Sequence, residues 1–253
     1  MPIFLRQLGR LLNNNADAQR VRRLVCIGEP LRDENMRPIP LAQDLQTFFP
    51  NATAHSTYAS SEGVTPFCEC EKCCGGHVHT DAMVLEILDE AGNPVPDGET
   101  GEVVVTPLGV RGMPLLRFRT GDISFVIPEP CACGRNSPRL GPILGRRAQM
   151  MKLNGTSIYP AAFFNALDQI PGVAQSYVTV TSEDRLSDTV RVTAAVRDAS
   201  LTADEISRLL QASLRVKPRV VIEPEEAVLA AIYNKASRKP VRFFDKREKG
   251  GIV

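Results

Sequence analysis

The sequence predicts a two-part protein: an α/β segment carrying a β-rich subdomain, followed by a small α+β unit. Three observations support this. The chain has 253 residues, room for one large domain or two ordinary ones. Residues 82–126 read as short strands separated by turns. Beyond Gly145 the pattern changes to an α-β-β-α-β order, so a boundary is placed there, giving domains 1–144 and 145–253. Hydrophobic residues make up 43% and charged residues 23%, which excludes a disordered chain. Lys plus Arg number 30 against 29 Asp plus Glu, and a net charge of +1 argues against a general nucleic-acid binder.

The elements follow in order. Ile3, Phe4, Leu8, Leu11 and Leu12 predict an amphipathic N-terminal helix. The same segment lacks the apolar stretch and cleavage site of an export signal, and no run approaches the ~18 apolar residues of a membrane span. A cytoplasmic protein without a membrane partner is expected. Arg22–Ile27 reads as a buried strand entering a loop at Gly28-Glu29-Pro30. Residues 37–50 read as a helix stopped by Pro50. The polar stretch from His55 to Gly63 reads as a loop with Tyr58 and Glu62 near its ends. Strands are expected at Met83–Leu88, Gly101–Thr106, Leu115–Phe118 and Ile123–Ile127, with Thr120-Gly121-Asp122 as a loop. In the second part, a helix over 159–170 has Pro160 in its first turn, and strands follow at 176–181 and 189–196. Thr202 with Glu205 forms a capping box for a helix to Leu214, and Arg219–Ile222 is the last strand.

The chain has seven cysteines. Cys68, Cys70, Cys73 and Cys74 are clustered, Cys131 and Cys133 form a second group, and Cys26 stands alone. Without an export signal, metal binding outweighs a disulfide framework. Thiolate and imidazole ligands suit tetrahedral Zn²⁺, and the candidate set is Cys70, His77, Cys131 and Cys133. Cys68, Cys73 and Cys74 compete as thiolates, and His79 competes with His77. The plainer alternative is a group of reduced, buried thiols.

Three separated motifs then fall in a telling order: Tyr58-Ala59-Ser60-Ser61-Glu62, Arg117-Phe118-Arg119-Thr120-Gly121-Asp122, and Gly145-Arg146 through Gly155. Together with Gly101-Glu102-Val103-Val104, Pro130-Cys131-Ala132-Cys133-Gly134-Arg135 and Ile158-Tyr159-Pro160, they resemble the adenylate-forming enzymes, and within them the phenylacetate–CoA ligase family. The resemblance runs from about residue 20 to 247 and implies the C-terminal part of the large adenylation domain followed by the small mobile domain. It implies an acid–CoA ligase that uses ATP (leaving AMP), Mg²⁺ and CoA on a carboxylic acid, an aryl acid among them. Glu62 then matches the metal-associated glutamate, with Ser61 where the family has Thr. Tyr58 flanks adenine, and Gly28-Glu29-Pro30 resembles the adenine-side loop. Asp122 matches the aspartate that accepts from the ribose hydroxyls, a role suited to an acceptor-only carboxylate. Arg146 matches the hinge arginine that reaches the nucleotide. Lys239 falls on the catalytic lysine, where an ammonium offsets charge developing at the α-phosphate. The family also supports a structural zinc at the Cys/His set. Read singly, Glu62 is a surface acid, Asp122 a turn residue and Lys239 part of a solvated basic tail.

Besides Ser61, the sequence departs from the family at three places. Ala148 and Gln149 stand where the pivot aspartate is usual, and Arg238 replaces the glycine before Lys239. No Gly-rich phosphate loop precedes Tyr58, so the chain is expected to start in the middle of a family member. A homodimer or a complementing N-terminal half is the implied protein partner. Two other readings compete: a non-catalytic, zinc-stabilised interaction module, and an adenylating enzyme with an acceptor other than CoA.

Overall fold

Helix α1 (Pro2–Leu12) forms as expected, but it buries a different stripe. Leu5 and Leu12 pack on the core, while Phe4 and Leu11 are 61% and 84% exposed. Gly9 sets this rotation. A Cβ added there would lie 2.5 Å from Phe48 Cβ, so the helix approaches its neighbour where it has no side chain. The computed structural model describes residues 2–13, 15–153, 155–184, 187–233 and 240–247. The chain divides into two compact units, Met1–Arg147 and Ala148–Val253.

In the first unit, α2 (Ala16–Arg20) is capped by the Asn15 side chain and leads into β1 (Arg23–Ile27). Helix α3 (Pro40–Phe48) begins with proline at its first turn. It is followed by β2 (Thr53–Tyr58), which pairs parallel to β1. This corrects the loop expected over His55 onward: the strand carries polar side chains, with His55 buried and Ser56, Thr57 and Tyr58 half-buried, so no apolar alternation marks it, although Thr and Tyr suit a strand. Leu24 and Cys26 of β1 face α1 and α3 across a core with Leu31, Leu45 and Phe49.

Short strands β3 (Phe67–Glu69) and β4 (Gly76–His77) come next, then β5 (Met83–Leu88) and β6 (Gly101–Pro107). Strand β7 (Phe118–Ser124) runs straight through Thr120-Gly121-Asp122, correcting both the expected loop there and the expected strand at Leu115. Its pairing with β6 shifts register between Glu102 and Val104, so a bulge accommodates the polar residues. Strands β8 (Val126–Ile127), β9 (Arg139–Leu140) and β10 (Gly145–Arg146) complete the unit. They form a six-stranded sheet, β1-β2-β3-β4-β9-β8, and a four-stranded sheet, β10-β7-β6-β5. Phe67, Met83, Val103, Val105 and Leu140 fill the core shared by these two sheets.

The second unit opens with the hairpin β11 (Met151–Leu153) and β12 (Thr156–Ile158), then α4 (Pro160–Asp168), β13 (Val173–Asp184) and β14 (Ser187–Val196). Thr202 Oγ1 accepts from Glu205 N–H and starts α5 (Ala203–Leu214). Strand β15 (Arg219–Ile222), α6 (Glu225–Ile232) and β16 (Phe243–Asp245) follow. The sheet order is β15-β14-β13-β16, with only the central pair antiparallel. Phe163, Leu167, Val178, Val180, Val192, Ile206 and Leu210 form the core between this sheet and helices α4 and α5, each large side chain contributing about 1.5–3 kcal/mol. Arg247 fastens the end of β16 inward, donating to Met150 O at 2.7 Å and pairing with Asp188 and Asp245. No helix among the described residues is long and apolar enough to cross a membrane.

Candidate functional site

Strand pairing inside the first unit brings three of the expected site residues to one point. Asp122 on β7 and Arg146 on β10 are register partners, and Arg146 Nε lies 3.3 Å from Asp122 Oδ1. Tyr58, at the end of β2, donates its hydroxyl to Asp122 Oδ2 at 2.8 Å. Its ring stacks on Phe67 with centroids 5.7 Å apart. Burial first, then the hydrogen bond to Asp122, hold the Tyr58 hydroxyl protonated well above the usual phenol range. Asp122 is buried, whereas the Arg146 side chain is 70% exposed. A buried carboxylate with about four lone-pair sites and two in use keeps acceptor capacity for a diol.

The other expected residues sit apart from this contact. Glu62 lies half-buried in the turn after β2, beside exposed Ser61, and pairs with no cation among the described residues. Gly28, at φ +91°, turns the chain after β1. Glu29 Oε2 accepts Ile3 N–H at 2.9 Å, an N-terminal cap for α1 that the sequence did not suggest. Pro30 is half-buried in the same loop. Lys239 and Arg238 lie outside the described residues.

Glu102 is the site residue that sequence reasoning missed. It is 5% exposed on β6. Its Oε2 accepts from Arg119 Nε at 2.8 Å and Arg147 Nη1 at 3.0 Å, and its Oε1 accepts Gly121 N–H at 3.2 Å. One carboxylate thus holds the backbone just before Asp122 and the residue just after Arg146. Its only signal was the Gly-Glu pair opening a strand. Burial pushes the Glu102 carboxyl up, but the two guanidinium groups and the amide win and leave it below the usual carboxylate value. A depressed folded value gives stability that is present above the unfolded pKa of about 4.3 and lost as pH falls through the folded one. Glu102→Gln is therefore expected to cost about 1–2 kcal/mol at pH 7, discounted for the half-exposed Arg119, with the difference from wild type closing below about pH 4. Urea unfolding at pH 3, 5 and 7 measures it; a gap independent of pH would contradict the ionic origin.

The second cluster is Cys70, His77, Cys131 and Cys133, whose ligand atoms all lie within 4.8 Å of one another. Cys70 follows β3, His77 lies on β4, and the last two sit in the loop before β9. Gly75 makes the tight return possible: its φ is +101°, and an added Cβ would lie 2.6 Å from Ile127 Cδ1. Cys70 Sγ is 3.6 Å from Cys131 Sγ, and Cys133 Sγ is 3.5 Å from His77 Nε2. Tetrahedral zinc with Zn–S near 2.3 Å requires S···S of about 3.8 Å and S···N of about 3.5 Å, so the donor set fits that ion. His77 Nδ1 is 3.0 Å from Ser137 Oγ, an outer contact that turns Nε2 toward the thiols. The Cys133 backbone N–H, working against burial, draws Cys131 well below the ordinary thiol value. Burial pushes Cys70 up. His79 is exposed and Cys68 and Cys73 fall outside the group, while Cys74 Sγ abuts Cys131 Sγ at 3.5 Å. Cys26 is a core thiol raised to about 11 by burial.

Comparison with known proteins adds the following. No protein-family model matches the chain. It is 39% identical over 115 residues to a phenylacetate–coenzyme A ligase of Thermus thermophilus, covering 45% of this chain and 26% of that protein. A Pseudomonas putida phenylacetate–coenzyme A ligase is 28% identical over 178 residues, covering 68% of this chain and 40% of the relative. Among solved structures, a 2-hydroxyisobutyryl-CoA ligase in the postadenylation state superposes with a TM-score of 0.77 at 22% identity, over 97% of this chain and 53% of that one. The chain thus spans about half or less of the length of the proteins it matches.

Proposed function

From a fold shared with adenylate-forming CoA ligases and sequence relatives that are phenylacetate–coenzyme A ligases, we propose that this chain is part of an AMP-forming acid–CoA ligase. The observation that carries the reading is the convergence of Tyr58, Asp122 and Arg146 from three strands onto one carboxylate. Asp122 accepts hydrogen bonds from the ribose hydroxyls of ATP and then of the acyl-adenylate. Tyr58 fixes the carboxylate's rotamer through its hydroxyl and presents its ring edge to the base. Arg146, exposed and already tied to Asp122, is positioned to reach the nucleotide. Glu62, which pairs with no cation among the described residues, is the group that would hold Mg²⁺, whose charge offsets that of the phosphates. Lys239 completes the set as the cation for the adenylation step. The substrate is a carboxylic acid, an aryl acid by the names of the relatives, and CoA is the acceptor. The domain boundary near Gly145 and a cytoplasmic location belong to the same proposal; the seven unpaired thiols support the latter.

Zinc is proposed at Cys70, His77, Cys131 and Cys133, with no open ligand position, so that it pins loops and performs no chemistry. A complementing polypeptide is proposed for the phosphate loop and acyl pocket. In support, β1 is an edge strand with Val25 69% exposed, although parallel strands are normally covered on both faces. A binding titration with AMP and ATP tests the nucleotide reading. Saturable binding by the chain, alone or with the polypeptide that completes it, is expected; no binding in either setting would remove the proposal. The competing reading, an interaction module, draws on one observation: each Asp122 oxygen has a protein partner, Tyr58 on one and Arg146 on the other.

A further inference from the structure

Arg139 is 4% exposed at the start of β9, directly across from His77 of β4. Its guanidinium donates to two backbone carbonyls, Nη1 to that of Cys74 and Nη2 to that of Glu129. Those carbonyls belong to the two loops that carry the thiols, residues 70–74 and 129–133. No carboxylate among the described residues lies within ion-pair distance of it, unlike half-buried Arg32, which pairs with Glu69 at 2.9 Å. A buried cation with only neutral partners is costly. The neighbouring donor set supplies what is missing: three thiolates and a neutral imidazole around a divalent ion carry a net charge of −1. Arg135, whose Nη1 is 3.5 Å from Cys133 Sγ, is a second cation on the solvent side.

We propose that Arg139 is the positioning residue of the zinc centre: it ties the two cysteine loops together and supplies the buried positive charge that balances the thiolates. The inference rests on the zinc reading and goes further, because it assigns affinity to a residue that touches no metal. It also accounts for a buried guanidinium that has no carboxylate partner among the described residues.

The test is zinc competition against a chromophoric chelator, using the whole chain as wild type, Arg139→Lys, Arg139→Gln and Arg135→Gln, with circular dichroism on each. Gln keeps an N–H donor for a carbonyl but loses the charge; Lys keeps the charge but loses the fork. Arg139→Gln is expected to bind zinc about 10–100-fold more weakly, the usual cost of losing an outer-sphere partner, and Arg139→Lys less than about tenfold more weakly. Arg135→Gln, at the exposed side, should stay within about threefold of wild type. Cobalt bound to the Lys variant should keep the wild-type tetrahedral thiolate spectrum. Equal affinity of wild type and Arg139→Gln, or Lys no better than Gln, overturns the charge assignment while leaving the zinc reading intact. A wild-type chain that takes up no zinc overturns both. Should Arg139→Gln fail to fold, the Lys variant decides: a loss beyond tenfold counts against the proposal.

Discussion

Cys131→Ala is expected to bring zinc content from about one equivalent to near zero and to lower the melting temperature of the first unit by about 10 °C. Cys131 is the centre of the cluster: its Sγ contacts Cys70 at 3.6 Å and Cys74 at 3.5 Å, and it is 7% exposed. Isolated zinc-finger peptides derive about 10–16 kcal/mol from the ion because they have no other core. This unit does have one, with Phe67, Met83, Val103 and Leu140 packed beside the loops. The loss should therefore resemble a large core truncation, about 3 kcal/mol, rather than global unfolding. A strong chelator added to the wild type should reproduce the shift. Cys68→Ser is the control, since Cys68 lies outside the ligand group and should keep its zinc. Elemental analysis together with thermal scans reads both effects. Zinc retained by Cys131→Ala but lost from Cys68→Ser would show that the ligand set is wrong.

That cluster is where the sequence was most legible, because thiol and imidazole side chains announce themselves. What the residues could not decide was which thiols face inward. Backbone geometry decides it: Gly75 at positive φ turns the chain so that β4 pairs β3 and points His77 at Cys133. Periodicity found the long amphipathic and apolar segments, and β5, β15 and α5 stand where the pattern put them. It failed where strands are short or polar. Strand β2 reads as a loop because its Thr, His and Ser residues give no apolar alternation, and β7 because Thr-Gly-Asp is usually a turn. Both misreadings fall where the site is built. Tyr58 ends the first of these polar strands and Asp122 lies within the second, and the two side chains meet there. Glu102 and Arg139 were hidden for a related reason: their importance lies in contacts across 17 and 65 positions of sequence, to Arg119 and to Cys74, which no local pattern records.

Asp122→Ala should lower acyl-adenylate formation, read as pyrophosphate release by the complete assembly, by about 10²–10⁴-fold. Two hydrogen bonds from ribose hydroxyls to a charged acceptor are worth about 1.5–3 kcal/mol each, and both are lost together. Tyr58→Phe removes only the hydroxyl that orients Asp122, so a loss of about five- to tenfold is expected. The double variant should be no worse than Asp122→Ala alone, because Tyr58 acts through the carboxylate. Stability offers the contrast. The Asp122–Arg146 pair joins a buried acid to an arginine that is 70% exposed, so Asp122→Asn should leave urea unfolding within about 1 kcal/mol of wild type. Large loss of turnover with little loss of stability is the signature of a ribose ligand. Retained turnover in Asp122→Ala, or no turnover by the wild-type assembly with any acid tested, would instead favour the interaction module. In that case the Tyr58–Asp122–Arg146 contact is simply how β2, β7 and β10 hold their ends together.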